Sequence, residues 1–170
     1  TRYISVTGVQ TCALPILLAV MQDGEVRQIG RPWDIYRKPK TLYVAHFIGE
    51  ANTLAARVTS TQGRLVIAET KIGPMAVDCP DEAPPVGAQG HVVMRPEDVV
   101  VSADSGQSQP NCYAAMVQKA TLLGPNVELR LAVGETQLRA WTSSVEPDQY
   151  PAGARVTVHL PTRSGAWISE

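Results

Sequence analysis

Residues 126–141 read "NVELRLAVGETQLRAW" and alternate apolar with polar side chains. The apolar side chains at every second position are Val127, Leu129, Leu131 and Val133. A period of two places them on one face of a half-buried strand, with the charged side chains on the other. Gly134 and Glu135 then suit a two-residue type II′ turn, in which glycine comes first. The stretch therefore predicts a β-hairpin that returns through residues 137–141.

A similar pattern of short apolar runs extends over most of the chain. From Asn52 onward, short runs of Val, Leu, Thr and Ala are separated by Gly and Pro at the roughly 8–12-residue spacing of small β domains. Proline and glycine mark loops at 81–90 and 103–111. Eight or so strands predict a mainly β fold that closes into a small barrel and leaves few exposed strand edges. The further predicted strands cover residues 52–59, 64–68, 91–94, 99–101, 112–121 and 156–160.

Residues 17–50 follow a different pattern. The apolar run 17–21 predicts a buried strand, and Asp23-Gly24 favours a tight turn into a second strand at 25–29. Two short helices follow, the first from Pro32 to Pro39 and the second from Thr41, its N-cap, to Ile48 before Gly49. Neither would be stable alone, so both must pack on a larger body. The side chains expected to face that body are Ile35, Tyr36, Val44, Phe47 and Ile48.

Composition excludes several classes of function. Fifteen basic and sixteen acidic side chains give a net charge of −1, which argues against binding to nucleic acid or anionic lipid. The longest apolar run, 13–21, is too short to span a bilayer and makes a poor secretory signal, so a cytoplasmic chain is expected. Cys12, Cys79 and Cys112 are odd in number and lack CxxC spacing, which predicts free thiols.

A longer stretch resembles a known family. Residues 17–54 read "LLAVMQDGEVRQIGRPWDIYRKPKTLYVAHFIGEANTL" and resemble, without a gap, the end of the nucleotide-binding domain in the ATPase subunits of ABC importers of the maltose, polyamine and ferric-iron type. Residues 94–99, "MRPEDV", resemble a turn of the C-terminal regulatory domain of that family, an OB-like β domain called TOBE. Leu123-Gly124 and the following hairpin match its later strands. The residues that carry the first resemblance are Val20, Met21, Gly24, Gln28, Gly30, Pro32, Ile35, Tyr36, Pro39, Val44, Ala45, Phe47, Ile48, Gly49, Glu50 and Asn52.

The resemblance implies a division of the chain into three parts. Residues 17–50 correspond to the end of the nucleotide-binding domain, and residues 51–170 to the regulatory β domain. Within residues 1–16, the stretch 6–16 ("VTGVQTCALPI") resembles the translation of a sequencing-library adapter. We therefore expect 1–16 to be an artefactual leader, joined to a truncated gene, with no function.

The resemblance also shows which catalytic elements are missing. An ATPase of this family needs a GxxxxGK[ST] phosphate loop, a carboxylate that orients magnesium and water, a signature loop and a histidine near the γ-phosphate. None of these motifs occurs in the 170 residues. ATP and Mg²⁺ therefore belong to the intact parent subunit. We expect no catalytic, cofactor-binding or metal residues in this chain, and no ATP hydrolysis by it alone.

Several conspicuous residues favour a structural role. Arg95 with Glu97 and Asp98 could bind an anion or a partner. However, Pro96 followed by two acids is ordinary chemistry for the start of a helical turn, and an ion pair of an exposed Arg95 would contribute roughly 0–1 kcal/mol. Trp141 falls on the polar face of its strand, where it could form an interface or cover the barrel. No GxSxG motif supports a serine nucleophile. The histidines, which are too dispersed to predict a metal site, are His46, His91 and His159.

Two hypotheses of function follow. By resemblance, the parent subunit dimerises, closes on two ATP molecules and drives a membrane permease from the cytoplasmic face, while the β domain holds two subunits together and receives inhibitory signals. The hairpin 128–141 is the candidate contact surface. The alternative is a freestanding OB-like module that binds a small oxyanion. Its nucleic-acid version lacks the basic residues among stacking aromatics that such a surface needs. In either case, we expect residues 17–50 to be poorly ordered, because their helices lack the sheet of the parent domain.

Overall fold

The computed structural model describes residues 17–103, 109–143 and 147–169, and the predicted leader lies outside them. The mainly β class is confirmed, with a short hairpin and two helices ahead of ten strands in two antiparallel sheets. The elements are β1 Leu18–Gln22, β2 Glu25–Gly30, α1 Pro32–Arg37, α2 Leu42–Ile48, β3 Asn52–Gln62, β4 Leu65–Thr70, β5 Gly73–Asp78, β6 Gln89–Met94, β7 Val100–Ala103, β8 Cys112–Leu123, β9 Asn126–Val133, β10 Thr136–Ser143, β11 Arg155–His159 and β12 Gly165–Ser169.

The first hairpin and the helices form for the reasons the sequence indicates. Asp23 and Gly24 adopt positive φ angles of 53° and 80°, the geometry of a tight turn between β1 and β2. The Thr41 hydroxyl accepts a hydrogen bond from the Val44 N–H at 3.2 Å and so caps α2. The expectation for Phe47 is wrong, because its side chain is 62% exposed. A helix of two turns has room for a narrow buried stripe, which Val44 and Ala45 occupy.

Two strands, β5 and β12, were not predicted. β5 begins Gly73-Pro74, which reads as a turn, but it lies at the edge of its sheet, where the missing N–H of proline is tolerated. β12 is also an edge strand and pairs with β6. The two sheets run β12-β6-β3-β4-β5 and β7-β11-β8-β9-β10, and both contribute to one apolar core. Large side chains buried at its centre are Met75, Leu129, Leu131, Leu138 and Leu160.

The two sheets are an internal repeat with exchanged strands. Repeat A is a three-strand meander, β3-β4-β5, followed by β6, which pairs with β3; repeat B has β8-β9-β10 followed by β11, which pairs with β8. A short strand follows each repeat. β7 follows repeat A but pairs with β11, and β12 follows repeat B but pairs with β6. Each repeat is therefore completed by a strand that belongs to the other.

Sequence and backbone details confirm the equivalence. "NTLAARV" at 52–58 matches "NCYAAMV" at 111–117, and "PVGA" at 85–88 matches "PAGA" at 151–154. A register shift follows Val58 in repeat A and Val117 in repeat B. The N–H of Val58 donates to Ala88 O and that of Val117 donates to Ala154 O, both at 2.9 Å. Because the two repeats share few identical residues, composition and periodicity alone do not reveal the repeat.

Two asparagines join the repeats reciprocally. Asn52 donates through Nδ2 to Arg139 O at 2.8 Å, and its Oδ1 accepts from Arg139 N at 2.7 Å. Asn111, the equivalent residue of repeat B, makes the same two bonds to Ala76 O and Ala76 N, both at 2.7 Å. Asn111 donates further to Leu160 O at 2.8 Å. Since both amides are buried, these bonds satisfy groups that water does not reach.

Candidate functional site

Arg95 is the most heavily bonded polar side chain at the junction between residues 17–50 and the β sheets. It is 3% exposed, so Arg95 is not available for the exposed ion pair considered from the sequence. The guanidinium makes five hydrogen bonds to four backbone carbonyls, and the oxygens belong to Tyr36, Ala45, Gly49 and Glu50. Because α2 ends at Ile48, three of these acceptors lie in its last turns or just beyond, where carbonyls lack helical partners. Arg95 therefore caps α2 from the neighbouring sheet.

The residues after Arg95 extend this clamp. The Arg95 guanidinium lies over the ring of Tyr36, 4.1 Å from its centroid, and the Tyr36 hydroxyl donates to Glu97 Oε1 at 2.5 Å. Burial, reinforced by the hydrogen bond to Glu97, raises the pKa of Tyr36 to about 12. Arg37 forms an ion pair with Asp98, whose pKa is nevertheless raised by burial. Residues 95–98 thus bind the end of α1 as well as α2, in agreement with a structural role.

Apolar packing supports the same junction. Ala45 of α2 packs with Val93 of β6 and Ile168 of β12, and all three are buried. The premise that the helices of residues 17–50 have no sheet to cover them is therefore wrong for α2. A sequence search misses this contact because Ile168 is more than a hundred residues away from the helix. The junction forms from β6 of repeat A and the exchanged strand β12.

Residues 17–50 also expose apolar surface. Six large apolar side chains in this short segment are at least half exposed, a density that marks a covered interface in other proteins. Met21 and Val26 are cross-strand partners, as are Ala19 and Ile29, so β1 and β2 present one apolar face. The exposed side chains are Leu17, Met21, Val26, Ile29, Trp33 and Phe47.

A cleft of about 640 Å³ lies between α1 and the sheet that contains β5 and β12. Acidic and basic side chains line it in similar number, and Lys38 pairs with Asp81 at 2.9 Å across one side. Cys79 is buried beside it, and burial raises the pKa of its thiol. A thiol in this state is a poor nucleophile. The cleft is a junction between two parts of the chain, and the described residues that line it form no cluster of catalytic groups.

The hairpin β9–β10, predicted as a contact surface, carries charge on its outer face. Arg130 lies opposite Arg139 and also opposite Lys119 of β8. Arg139 is held by Glu50 at 2.5 Å and Arg130 by Glu128 at 3.4 Å. Trp141 lies in the next row, opposite Glu128, and is half-buried, with no acceptor for its Nε1 among the residues that the structure describes.

The remaining candidates are separate from one another. His46 contacts Thr53 at 3.0 Å, while His91 and His159 lie on different sheets. Within residues 17–103, 109–143 and 147–169, no three His, Cys, Asp or Glu side chains come together as a metal site. Cys79 and Cys112 are free thiols, and Cys12 lies outside the described residues. None of the described helices has the length and apolar character needed to cross a membrane.

Comparisons with known proteins agree with this architecture. The TOBE domain family matches residues 92–168. The spermidine/putrescine import ATP-binding protein PotA of Trichormus variabilis is 34% identical over 129 residues, which are 74% of this chain and 34% of that protein. The Fe(3+) ions import ATP-binding protein FbpC 2 of Rhizobium meliloti is 30% identical over 166 residues, 89% of this chain and 40% of that protein.

A relative matched over more of the chain and a solved structure agree with these findings. PotA of Ruegeria pomeroyi is 30% identical over 164 residues, 94% of this chain and 43% of that protein. The chain therefore spans about a third to two fifths of the length of these relatives. The molybdate-bound structure of the cytoplasmic molybdate-binding protein ModG is similar with a TM-score of 0.61 at 15% identity, over 70% of this chain and 96% of ModG. That likeness concerns the fold, which is OB-like.

Proposed function

Because this chain contains a TOBE domain and shares the C-terminal portion of the ATP-binding subunits of polyamine and ferric-iron ABC importers, we propose that it serves as the regulatory and dimerisation part of such a subunit. The parent couples ATP hydrolysis to uptake of a polyamine or ferric iron. Its partners are a second ATP-binding subunit and a membrane permease. The location is the cytoplasmic face of the membrane, without insertion into it.

One observation carries the proposal: the buried Arg95 fixes α2 to the β sheets. By resemblance, residues 17–50 end the nucleotide-binding domain. A guanidinium with five hydrogen bonds and little exposure makes that end and the β domain move together. A change of contacts on the β domain can then bias the open or closed state of the ATP-binding dimer.

The exposed apolar side of residues 17–50 supports the same assignment. A stable protein rarely leaves Met21, Val26 and Ile29 on one open face of a two-stranded sheet. In the parent subunit this face lies against the rest of the nucleotide-binding domain. ATP and Mg²⁺ bind to that other part, since the sequence of this chain supplies no phosphate loop for them.

Sedimentation velocity of the purified chain tests the dimerisation role. We expect a concentration-dependent dimer; a chain that stays monomeric at all concentrations would contradict the role. An ATPase assay is run on the same sample, and hydrolysis by the chain alone would overturn the whole assignment.

The alternative of a small-anion module is carried only by the likeness of fold to ModG. The best buried cation for an oxyanion, Arg95, already donates to backbone carbonyls. Titration with molybdate, sulfate and phosphate separates the alternatives. A saturable signal with any of them would favour the module, and no signal would favour the regulatory role.

A further inference from the structure

The outer face of repeat B carries a row of three cations that the fold does not require. Lys119 of β8, Arg130 of β9 and Arg139 of β10 are direct cross-strand neighbours. Adjacent strands are about 4.8 Å apart, so three positive side chains fall within about 10 Å. Like charges at directly opposed positions destabilise a sheet. Glu128 and Glu50 offset part of this cost for Arg130 and Arg139, and Lys119 has no such partner among the described residues.

Repeat A serves as an internal control for this row. The equivalent cross-strand neighbours, after the same register shift, are Ser60, Ile67 and Ala76. None of them is charged, and their sheet has the same strand order. The cations of repeat B are therefore not a consequence of strand register or curvature.

The local charge remains positive after internal pairing. Arg130 is paired with Glu128 and Arg139 with Glu50, while Lys119 has no ion pair among the described residues. Arg155 of β11 adds a further exposed cation one row away, opposite Met116. Among the residues that the structure describes, these four cations thus have two carboxylate partners, on a chain whose net charge is −1. Arg130 and Arg139 keep 51% and 40% of their side-chain surface exposed.

The surroundings favour a protein partner over a small ion. Lys119 and Arg130 are exposed, with the exposed Met116 in the adjacent row on one side and the half-buried Trp141 in the adjacent row on the other. Arginine, methionine and tryptophan are enriched in protein interfaces, whereas a small ligand needs a concave site. A symmetric contact centred on the row would oppose cation to cation, which argues against a second copy there.

We propose that the row Lys119–Arg130–Arg139 is the docking surface for an acidic segment of another protein. Glu50 already shows the mode of contact within the chain, since its carboxylate binds Arg139 at 2.5 Å. A partner segment with carboxylates on one face would bind Lys119 and Arg130 and cover Met116. The partner would be a protein other than the second ATP-binding subunit and the permease. Its binding does not depend on dimerisation of this chain.

Binding of a glutamate-rich peptide to the full chain tests the proposal. Fluorescence anisotropy at low salt should show saturable binding, weakened at least about tenfold in the double variant Lys119→Gln/Arg130→Gln. The matched control, Arg57→Gln/Lys71→Gln, removes the same charge from repeat A and should bind as the unchanged chain does. Equal weakening in both variants, or no binding to the unchanged chain, would overturn the proposal.

Two further measurements identify the ligand chemistry and test the surface without relying on a variant that could misfold. Inorganic phosphate and phosphatidylserine vesicles are titrated in the same way; binding of either one that matches the peptide and depends on Lys119 and Arg130 would contradict a protein partner. Hydrogen exchange of the unchanged chain with and without peptide should show new protection in β8–β10 only. Protection confined to β3–β5 would also overturn the proposal.

Discussion

Repeat A and repeat B have the same backbone arrangement but differ in their charged side chains. Both have the same strand order, the same register shift and the same reciprocal asparagine contact. Where repeat A has Arg95, repeat B has Pro161, and where repeat B has its cation row, repeat A has uncharged residues. Features common to both repeats therefore belong to the fold. Features present in one repeat are candidates for function.

The largest expected effect comes from removing the clamp that only repeat A has. Arg95→Met leaves buried carbonyls without donors and should lower the free energy of opening of α2 by about 3 kcal/mol. Hydrogen exchange measures this as a loss of protection of about 100-fold in residues 36–48, with the β core unchanged. Arg57→Met, an exposed control in repeat A, should have little effect. Weak protection of 36–48 in the unchanged chain would show that the clamp does not hold in solution.

The asparagines test whether the reciprocal contacts are equal. Asn111→Ala should cost about 2–3 kcal/mol of unfolding free energy, because it leaves three buried partners without a bond and places alanine at a φ of 58°. Asn52→Ala should cost about 1–2 kcal/mol, since it removes two bonds. Urea denaturation of the two variants gives the comparison. A larger cost at Asn52 would contradict the hydrogen-bond count.

Two glycines should respond alike. Gly87 and Gly153 have φ angles of 90° and 87°, with open space where a Cβ would lie. Alanine at either position meets no neighbour but strains the backbone, and should cost about 1 kcal/mol. Thermal unfolding of Gly87→Ala and Gly153→Ala measures both. Clearly different costs would show that the repeats are less equivalent than their backbones indicate.

The smallest effect concerns Tyr36. Its pKa is raised to about 12 in the folded chain, so the folded state keeps a proton that the unfolded state loses near pH 10. Stability from this group is complete below pH 10 and falls as the pH rises towards 12. Tyr36→Phe should cost about 0.5 kcal/mol at neutral pH and reduce this alkaline loss. Urea midpoints at pH 8 and pH 11 test this. Tyr113→Phe in repeat B should reduce the alkaline loss in the same way, since burial also raises the pKa of Tyr113 to about 12.

Local patterns predicted local structure well. The alternation of residues 127–133, the Asp23-Gly24 turn and the Thr41 cap are each fixed by neighbours in sequence, and each was confirmed. The Arg95 clamp was missed because arginine is rarely buried and its acceptors lie 45 to 59 residues away. The cation row was missed for a similar reason. Its members become neighbours only after three strands take their register, which no single stretch of sequence contains.

The exchange of β7 and β12 between the repeats couples the position of α2 to the second sheet. The helix α2 packs on β6 and β12, and β12 continues covalently from β11, an inner strand of the other sheet. A displacement of the helix would therefore reach the other sheet through the covalent connection between β11 and β12 as well as through the shared apolar core. Because each sheet contains a strand from the other repeat, we expect a rotation of one sheet to be accompanied by a rotation of the other.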